Sequence, residues 1–225
     1  HTLRLESDYN YGKQAKAYCP TDLNPKELSE LITSIVEIVG KRSLVLYTSK
    51  NSLNASYQYI KRCLGHQTRL FCQTVHGSRE AILQQFKVHK GPATILGVDS
   101  FWEGVDLAGD LLSCLIIPKL PFPVPSEPLH MARIALLEAD GKNGFKDYML
   151  PLTILKFRQG IGRLIRSKTD HGLLFILDER LQTRSYATLF KQEIAAYNTA
   201  EISSLDSIED AKQWLNKTPL LNQES

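Results

Sequence analysis

Residues 44–64, LVLYTSKNSLNASYQYIKRCL, contain one full period of the pattern from which the architecture follows. Leu44-Val45-Leu46-Tyr47 is a compact apolar run, and beyond a polar turn Leu53, Tyr57, Ile60 and Leu64 recur at helical spacing between Asn51 and Leu64. A short strand passing directly into an amphipathic helix is the unit of an alternating α/β chain.

The unit repeats outward from there. Arg69 to Val75 reads as a strand, Ser78 as the cap of a helix carrying Ile82, Leu83 and Phe86, and Gly91-Pro92 as a break before the strand Ala93 to Val98. Leu111 to Ile117 and Leu173 to Leu177 are further runs. All are apolar without alternation, as expected of a mostly parallel sheet with helices on both faces. Upstream, Pro25 to Val39 places Leu28, Leu31, Ile35 and Ile38 on one helical stripe; downstream, Tyr186 to Tyr197 and Ser207 to Leu215 read as helices, the last capped by Asp206 or Ser207.

Between Pro118 and Pro151 the rhythm breaks. Pro121-Phe122-Pro123-Val124-Pro125 is stiff and extended, because each proline fixes its own φ and keeps its predecessor out of the helical region. Leu129 to Ala139 then reads as a helix and Asp140 to Asn143 as a loop. The expectation is one domain over 1–225, with a small helical insertion at about 121–150 and a helical C-terminal extension at about 181–217.

With 225 residues, 43% hydrophobic and 23% charged, the composition excludes a disordered, collagenous or coiled-coil chain. The longest apolar run falls far short of the roughly 20 residues that span a bilayer, so no membrane contact is expected. The chain begins His1-Thr2-Leu3-Arg4, without Met or an apolar leader, and reads as a piece of a longer protein. Cys19, Cys63, Cys72 and Cys114 are dispersed, form no CxxC pair and read as thiols of a reducing cytoplasm, with no metal site. A net charge of +3 points to no partner by itself.

The sharpest chemistry lies in 152–167, LTILKFRQGIGRLIRS. Read as one helix, it gathers Ile154, Phe157, Ile161, Leu164 and Ile165 on one side and Lys156, Gln159, Arg163 and Arg166 on the other. Lys156, Arg158, Arg163, Arg166 and Lys168 share a stretch with no carboxylate. Gly160 and Gly162 would each cost such a helix about 1 kcal/mol, so the close approach of another backbone or of a phosphate is expected there. Arginines at i and i+3 can converge on a polyphosphate with their planar donor forks.

Gln159-Gly160-Ile161-Gly162-Arg163-Leu164-Ile165-Arg166 resembles motif VI, QxxGRxxR, of superfamily 2 helicases, and its continuation Ser167-Lys168-Thr169-Asp170-His171-Gly172 narrows the likeness to the XPD/DinG group. Ser100-Phe101-Trp102-Glu103-Gly104-Val105-Asp106-Leu107 resembles motif V of that group, and Leu44 to Lys50 its motif IV. Lys119-Leu120-Pro121-Phe122-Pro123-Val124-Pro125 is similar to a signature of the DinG branch. The resemblance runs in family order over roughly Leu44 to Arg180 and implies a RecA-like (P-loop NTPase-type) helicase C-terminal domain.

Carried over by position, the resemblance makes Arg163 and Arg166 arginine fingers and Gln159 their link to closure of two motor domains. Glu103, Gly104 and Asp106 would face the nucleotide, and Asp106 could equally cap the element after it. Thr48, Ser49 and Ser100 would hold strand phosphates, with Ser49 or Thr48 equally suited to cap the following helix. Phe101 and Trp102 would lie near the strand, where an aromatic ring can stack a base, although a Trp at a strand end commonly packs in a core.

Leu173 to Glu179 has the outline of a Walker B strand, but no GxxxxGK[ST] occurs in the chain, and Asp178 and Glu179 read as strand-end residues. The resemblance implies that ATP and Mg²⁺ bind mainly on a first RecA-like domain of the same polypeptide, and without a Walker A loop this chain alone is not expected to hydrolyse ATP. The resemblance implies the C-terminal motor domain of an ATP-dependent DNA helicase with single-stranded DNA as partner. The alternative is a helicase-derived domain of a DinG-type single-strand exonuclease that binds ATP and DNA without unwinding.

Overall fold

The computed structural model describes residues 9–20, 28–202 and 205–221. In chain order the strands are β1 (Ala15–Pro20), β2 (Arg42–Leu46), β3 (Arg69–Cys72), β4 (Ala93–Gly97), β5 (Cys114–Ile117), β6 (Gly172–Ile176) and β7 (Asn198–Ile202). The helices are α1 (Tyr11–Gln14), α2 (Leu28–Val39), α3 (Lys50–Leu64), α4 (Arg79–Val88), α5 (Pro128–Ala139), α6 (Leu150–Ile161), α7 (Arg180–Thr183), α8 (Ala187–Glu193) and α9 (Leu205–Leu221). The first three residues of the expected helix Pro25 to Val39 lie outside the described residues.

The strands form one 7-stranded sheet in the order β3-β4-β2-β5-β6-β1-β7. Every adjacent pair is parallel, for example Leu44 opposite Ile95 and Leu115, and Ala17 opposite Leu174 and Thr199. Because side chains alternate along a strand, the sheet has two cores. Leu44, Leu46, Ile95, Leu115 and Ile176 pack on Ile82 and Phe86 of α4, Phe157 and Ile161 of α6, and Phe190 of α8. Val45, Tyr47, Leu96, Ile116 and Phe175 pack on α2, α3 and Ile208, Ala211 and Leu215 of α9. Crossovers towards β3 use α2 and α3 on one face; those towards β7 use α4, α6 and α8 on the other, as a single crossover hand requires.

Several boundaries differ from the sequence expectation. β3 stops at Cys72 rather than Val75, because Val75 and His76 donate backwards to the Cys72 carbonyl and turn the chain. The span expected as a purely helical extension holds β7, a polar edge strand Asn-Thr-Ala-Glu-Ile that carries no apolar run. Asp206 and Ser207 lie inside α9 instead of capping it. The helix expected from Tyr186 to Tyr197 is shorter, ending at Glu193. Most consequential, the helix expected through Ser167 ends at Ile161.

The insertion is anchored at its proline segment and again where Met149 and Leu150 are buried. Phe122 stacks on Phe145 at 5.8 Å, meets Tyr186 edge-on at 5.4 Å and lies under the Arg180 guanidinium at 4.8 Å. The buried Asp178 carboxylate accepts from the Leu120 N–H at 2.7 Å and from Arg180 Nη2 at 2.5 Å, so this acidic strand end holds the proline segment in place. Between these anchors α5 buries none of its residues.

Candidate functional site

The site forms where the loop after β4, residues 98–113, crosses the chain leaving α6. Gly160 lies where α6 meets Trp102: a Cβ there would sit 2.8 Å from Trp102 Cζ3. The indole is fully buried, and its Nε1 donates to the Tyr47 carbonyl at 2.8 Å. Phe101 is equally buried. Both rings anchor the loop to the core and have no exposed face to offer a base, so the stacking role expected of them is replaced by packing. Gly160 admits an aromatic ring rather than a phosphate.

Past Ile161 the chain turns. The Gly162 N–H bonds the Arg158 carbonyl at 3.0 Å, and the N–H groups of Arg163 and Leu164 shift to the i−3 carbonyls of Gly160 and Ile161. Gly162 caps at φ −63°, a conformation open to any residue. Arg163 and Arg166 therefore do not line the outer face of a helix. Arg163 is only 3% exposed, and its Nη1 donates to the Val105 carbonyl at 3.1 Å. Arg166 donates to the same carbonyl from Nη2 at 2.7 Å and pairs through Nη1 with Asp106 Oδ1 at 2.7 Å. The two guanidiniums thus converge on one carbonyl of the facing loop.

Burial, reinforced by the charge of Arg166, pulls Arg163 down to about 10, while Glu103 acts in the opposite direction. Arg163 is still a cation at neutral pH. The Nε atoms of both arginines are buried without a hydrogen-bond partner among the described residues.

The loop is braced by groups that sequence reasoning missed. Gly104 turns at φ +65°, and a Cβ there would lie 3.3 Å from Arg79 Nη1. That same nitrogen donates to the Ser100 and Glu103 carbonyls, each at 3.3 Å. A cation in the first turn of a helix opposes the helix dipole, and Arg79 there, paired with Glu80 at 3.0 Å, is the signal that could have identified it. Gln73 receives the Val98 N–H at 2.8 Å and donates to Ser100 Oγ at 3.1 Å. Asp99 takes φ +37°, a backbone conformation that non-glycine residues adopt at cost and that tends to cluster at functional sites.

Glu103 and Gln159 are exposed and share a cleft of about 260 Å³ with Lys156, His130, Pro121 and Leu155. Thr48 lies at the carboxyl end of β2 beside a separate pocket of about 200 Å³ shared with Ser52, Ser56 and Lys119. Ser49 caps α3, its Oγ accepting from the Ser52 N–H at 3.2 Å. The basic stretch finds its carboxylates elsewhere in the chain: Arg158 grips Glu193 at 2.6 and 2.7 Å, and Arg166 takes Asp106.

Chemically, this is a half-site. The Arg166 guanidinium, partly open to solvent beside the buried charge of Arg163, suits an anion presented from outside, and the exposed carboxylates of Glu103 and Asp106 suit hydroxyl donors. Among the described residues no group of three or more His, Cys, Asp or Glu is placed to hold a metal ion. No described helix is long and apolar enough to cross a membrane.

Residues 32–197 match the family described as the helicase C-terminal domain. The chain is 34% identical over 213 residues to the 3'-5' exonuclease DinG of Bacillus subtilis, covering 90% of this chain and 23% of that protein. It is also 34% identical to the ATP-dependent DNA helicase YoaA of Haemophilus influenzae, covering 84% of this chain and 30% of the relative. It thus spans less than a third of the length of these relatives. Among solved structures, Xpd4 of S. tokodaii superposes with a TM-score of 0.58 over 89% of this chain and 42% of the other, at 21% identity. Dbp5 of S. cerevisiae bound to RNA and ADP BeF3 superposes with a TM-score of 0.62 over 97% of this chain and 49% of the other, at 14% identity.

Proposed function

The chain belongs to the helicase C-terminal domain family, and from that premise we propose that it is the second RecA-like motor domain of an ATP-dependent DNA helicase. The observation that carries the proposal is the convergence of Arg163 and Arg166 on the Val105 carbonyl, which locks the finger segment to the loop bearing Glu103 and Asp106.

In this account the nucleotide lies mainly on a first motor domain, where Mg²⁺ offsets part of the phosphate charge. Arg166 is the finger that reaches across. Its contact with Asp106 is largely solvent-exposed on the carboxylate side, and exposed ion pairs are worth ~0–1 kcal/mol, so exchanging Asp106 for a phosphate costs little. Arg163, buried behind it, fixes Val105 and adds its charge to the same cleft. An arginine that neutralises the transferring phosphoryl oxygens raises turnover by roughly 10³–10⁵ in NTPases. Gln159 and Glu103, on one cleft, couple that exchange to domain closure. Thr48, Ser49 and Ser100 sit at the carboxyl ends of β2 and β4, where open α/β sheets present ligands, and they contact the strand phosphates of single-stranded DNA.

The likeness to a relative named a 3'-5' exonuclease favours a second reading, in which the domain serves a nuclease that binds ATP and strands without unwinding. Assaying the full-length protein on a duplex with a single-stranded tail separates the two. ATP hydrolysis stimulated by the strand together with duplex unwinding is expected; strand cleavage with ATP bound and no unwinding would establish the second reading instead.

A further inference from the structure

The finger segment contains a buried carboxylate that the proposed function does not use. Asp170 is 3% exposed, and both of its oxygens are engaged. Oδ2 accepts the N–H of Arg166 at 2.7 Å and of Ser167 at 3.0 Å; Oδ1 accepts Ser167 Oγ at 2.6 Å and the N–H of Gly109 at 3.2 Å. A carboxylate withdrawn from water needs compensating donors, and here these donors are all neutral.

Their positions give the arrangement its meaning. Gly109 follows Asp106 on the same loop, and Arg166 is the proposed finger itself. The two loops therefore touch at the Val105 carbonyl, through Arg163 and Arg166, on the surface, through Arg166 and Asp106, and in the interior, through Asp170 and Gly109. The finger segment is also tied to the first described residues. Gln14 Nε2 donates to the carbonyls of Ser167 and Asp170 at 2.8 and 3.1 Å, and the Tyr9 hydroxyl donates to the Arg166 carbonyl at 2.9 Å.

We propose that Asp170 is a positioning residue for Arg166: by holding the Arg166 backbone and Gly109 on one carboxylate, it keeps the two loops in register while the Arg166 side chain exchanges Asp106 for phosphate. This rests on the finger assignment above and adds to it the group that fixes where the finger starts. A finger displaced by about 1 Å loses much of its effect, and misplacements of that size cost on the order of 10²-fold in rate.

The test uses the full-length protein in two measurements. The first is strand-stimulated ATP turnover of D170N, R166A and the double variant, with S167A as a milder change that removes a single contact. D170N is expected to lower kcat by roughly 10²-fold with the KM for ATP little changed, to add no further loss in the R166A background, and S167A to fall between D170N and wild type. The second is amide exchange of segments 104–110 and 163–170, which should quicken together in D170N while the sheet strands keep their protection.

Equal fold-losses with and without Arg166 would make Asp170 a general structural residue and overturn the proposal, as would a raised KM at unchanged kcat or unaltered exchange in 104–110. If R166A alone leaves kcat intact, the finger assignment fails, and coupled exchange of the two segments then decides separately whether Asp170 holds them together.

Discussion

Arg163 shows how function can oppose stability in a single side chain. Burial holds its folded value at about 10, below the ordinary arginine range, so the unfolded chain holds this proton more tightly. Stability from this group is therefore absent at neutral pH and returns only as pH rises through that window. The Val105 carbonyl has Arg166 as a second donor, so removing Arg163 leaves no acceptor orphaned. R163M is accordingly expected to leave stability unchanged or raise it by ~1 kcal/mol in urea denaturation, while the parent protein loses ATP turnover; a loss of stability would show that the buried cation supports the fold. Gly160 gives the opposite case. G160A gains ~1 kcal/mol of helix propensity but drives a methyl against Trp102, an overpacking that costs roughly 1–3 kcal/mol. Net destabilisation is expected, with partial recovery when W102F is added, and equal losses in both backgrounds would remove Trp102 as the cause.

At the scale of elements, strands buried on both faces declare themselves. β2, β4, β5 and β6 were legible because each is apolar at consecutive positions. β1 was not, although it lies between β6 and β7, because Ala-Lys-Ala-Tyr-Cys-Pro gives one core only the small Ala15 and Ala17 and the other the single large side chain of Tyr18, with no apolar run between them. β7 was hidden by its polar edge composition. The site was legible as a set of residue types and misread in geometry: helical periodicity continues through Leu164 and Ile165, yet these side chains are buried after the turn at Gly162, which inverts the placement of Arg163. Periodicity reports burial, and a turn can bury the same residues by another route. Ser49 makes a testable case of dual use. As the cap of α3, S49A should cost ~1 kcal/mol of stability; weaker strand binding by the parent at unchanged stability would instead make phosphate contact its main role.

For the whole molecule, the sheet sets two edges apart. Carboxyl ends carry Thr48, Ser49 and Ser100, and the loop from Val98 to Ser113 leads back across the α6 face to the finger segment. The proposed strand contacts and the proposed finger are thus linked by one braced loop, held by Arg79, Arg163 and Arg166 through the carbonyls of Ser100, Glu103 and Val105. Because the proposed strand contacts are hydroxyls, with Lys119 sharing the pocket of Thr48, strand binding by this domain should be weak and should fade between about 0.05 and 0.5 M salt; a titration showing undiminished affinity across that range would mean that contacts other than phosphate dominate. The central claim is that this domain completes a nucleotide site it does not itself contain. The most direct measurement is strand-stimulated ATP turnover by the full-length protein and its R166A variant at saturating ATP. A fall of roughly 10³-fold or more with ATP still bound is the expected result, and turnover equal to that of the wild type would contradict it.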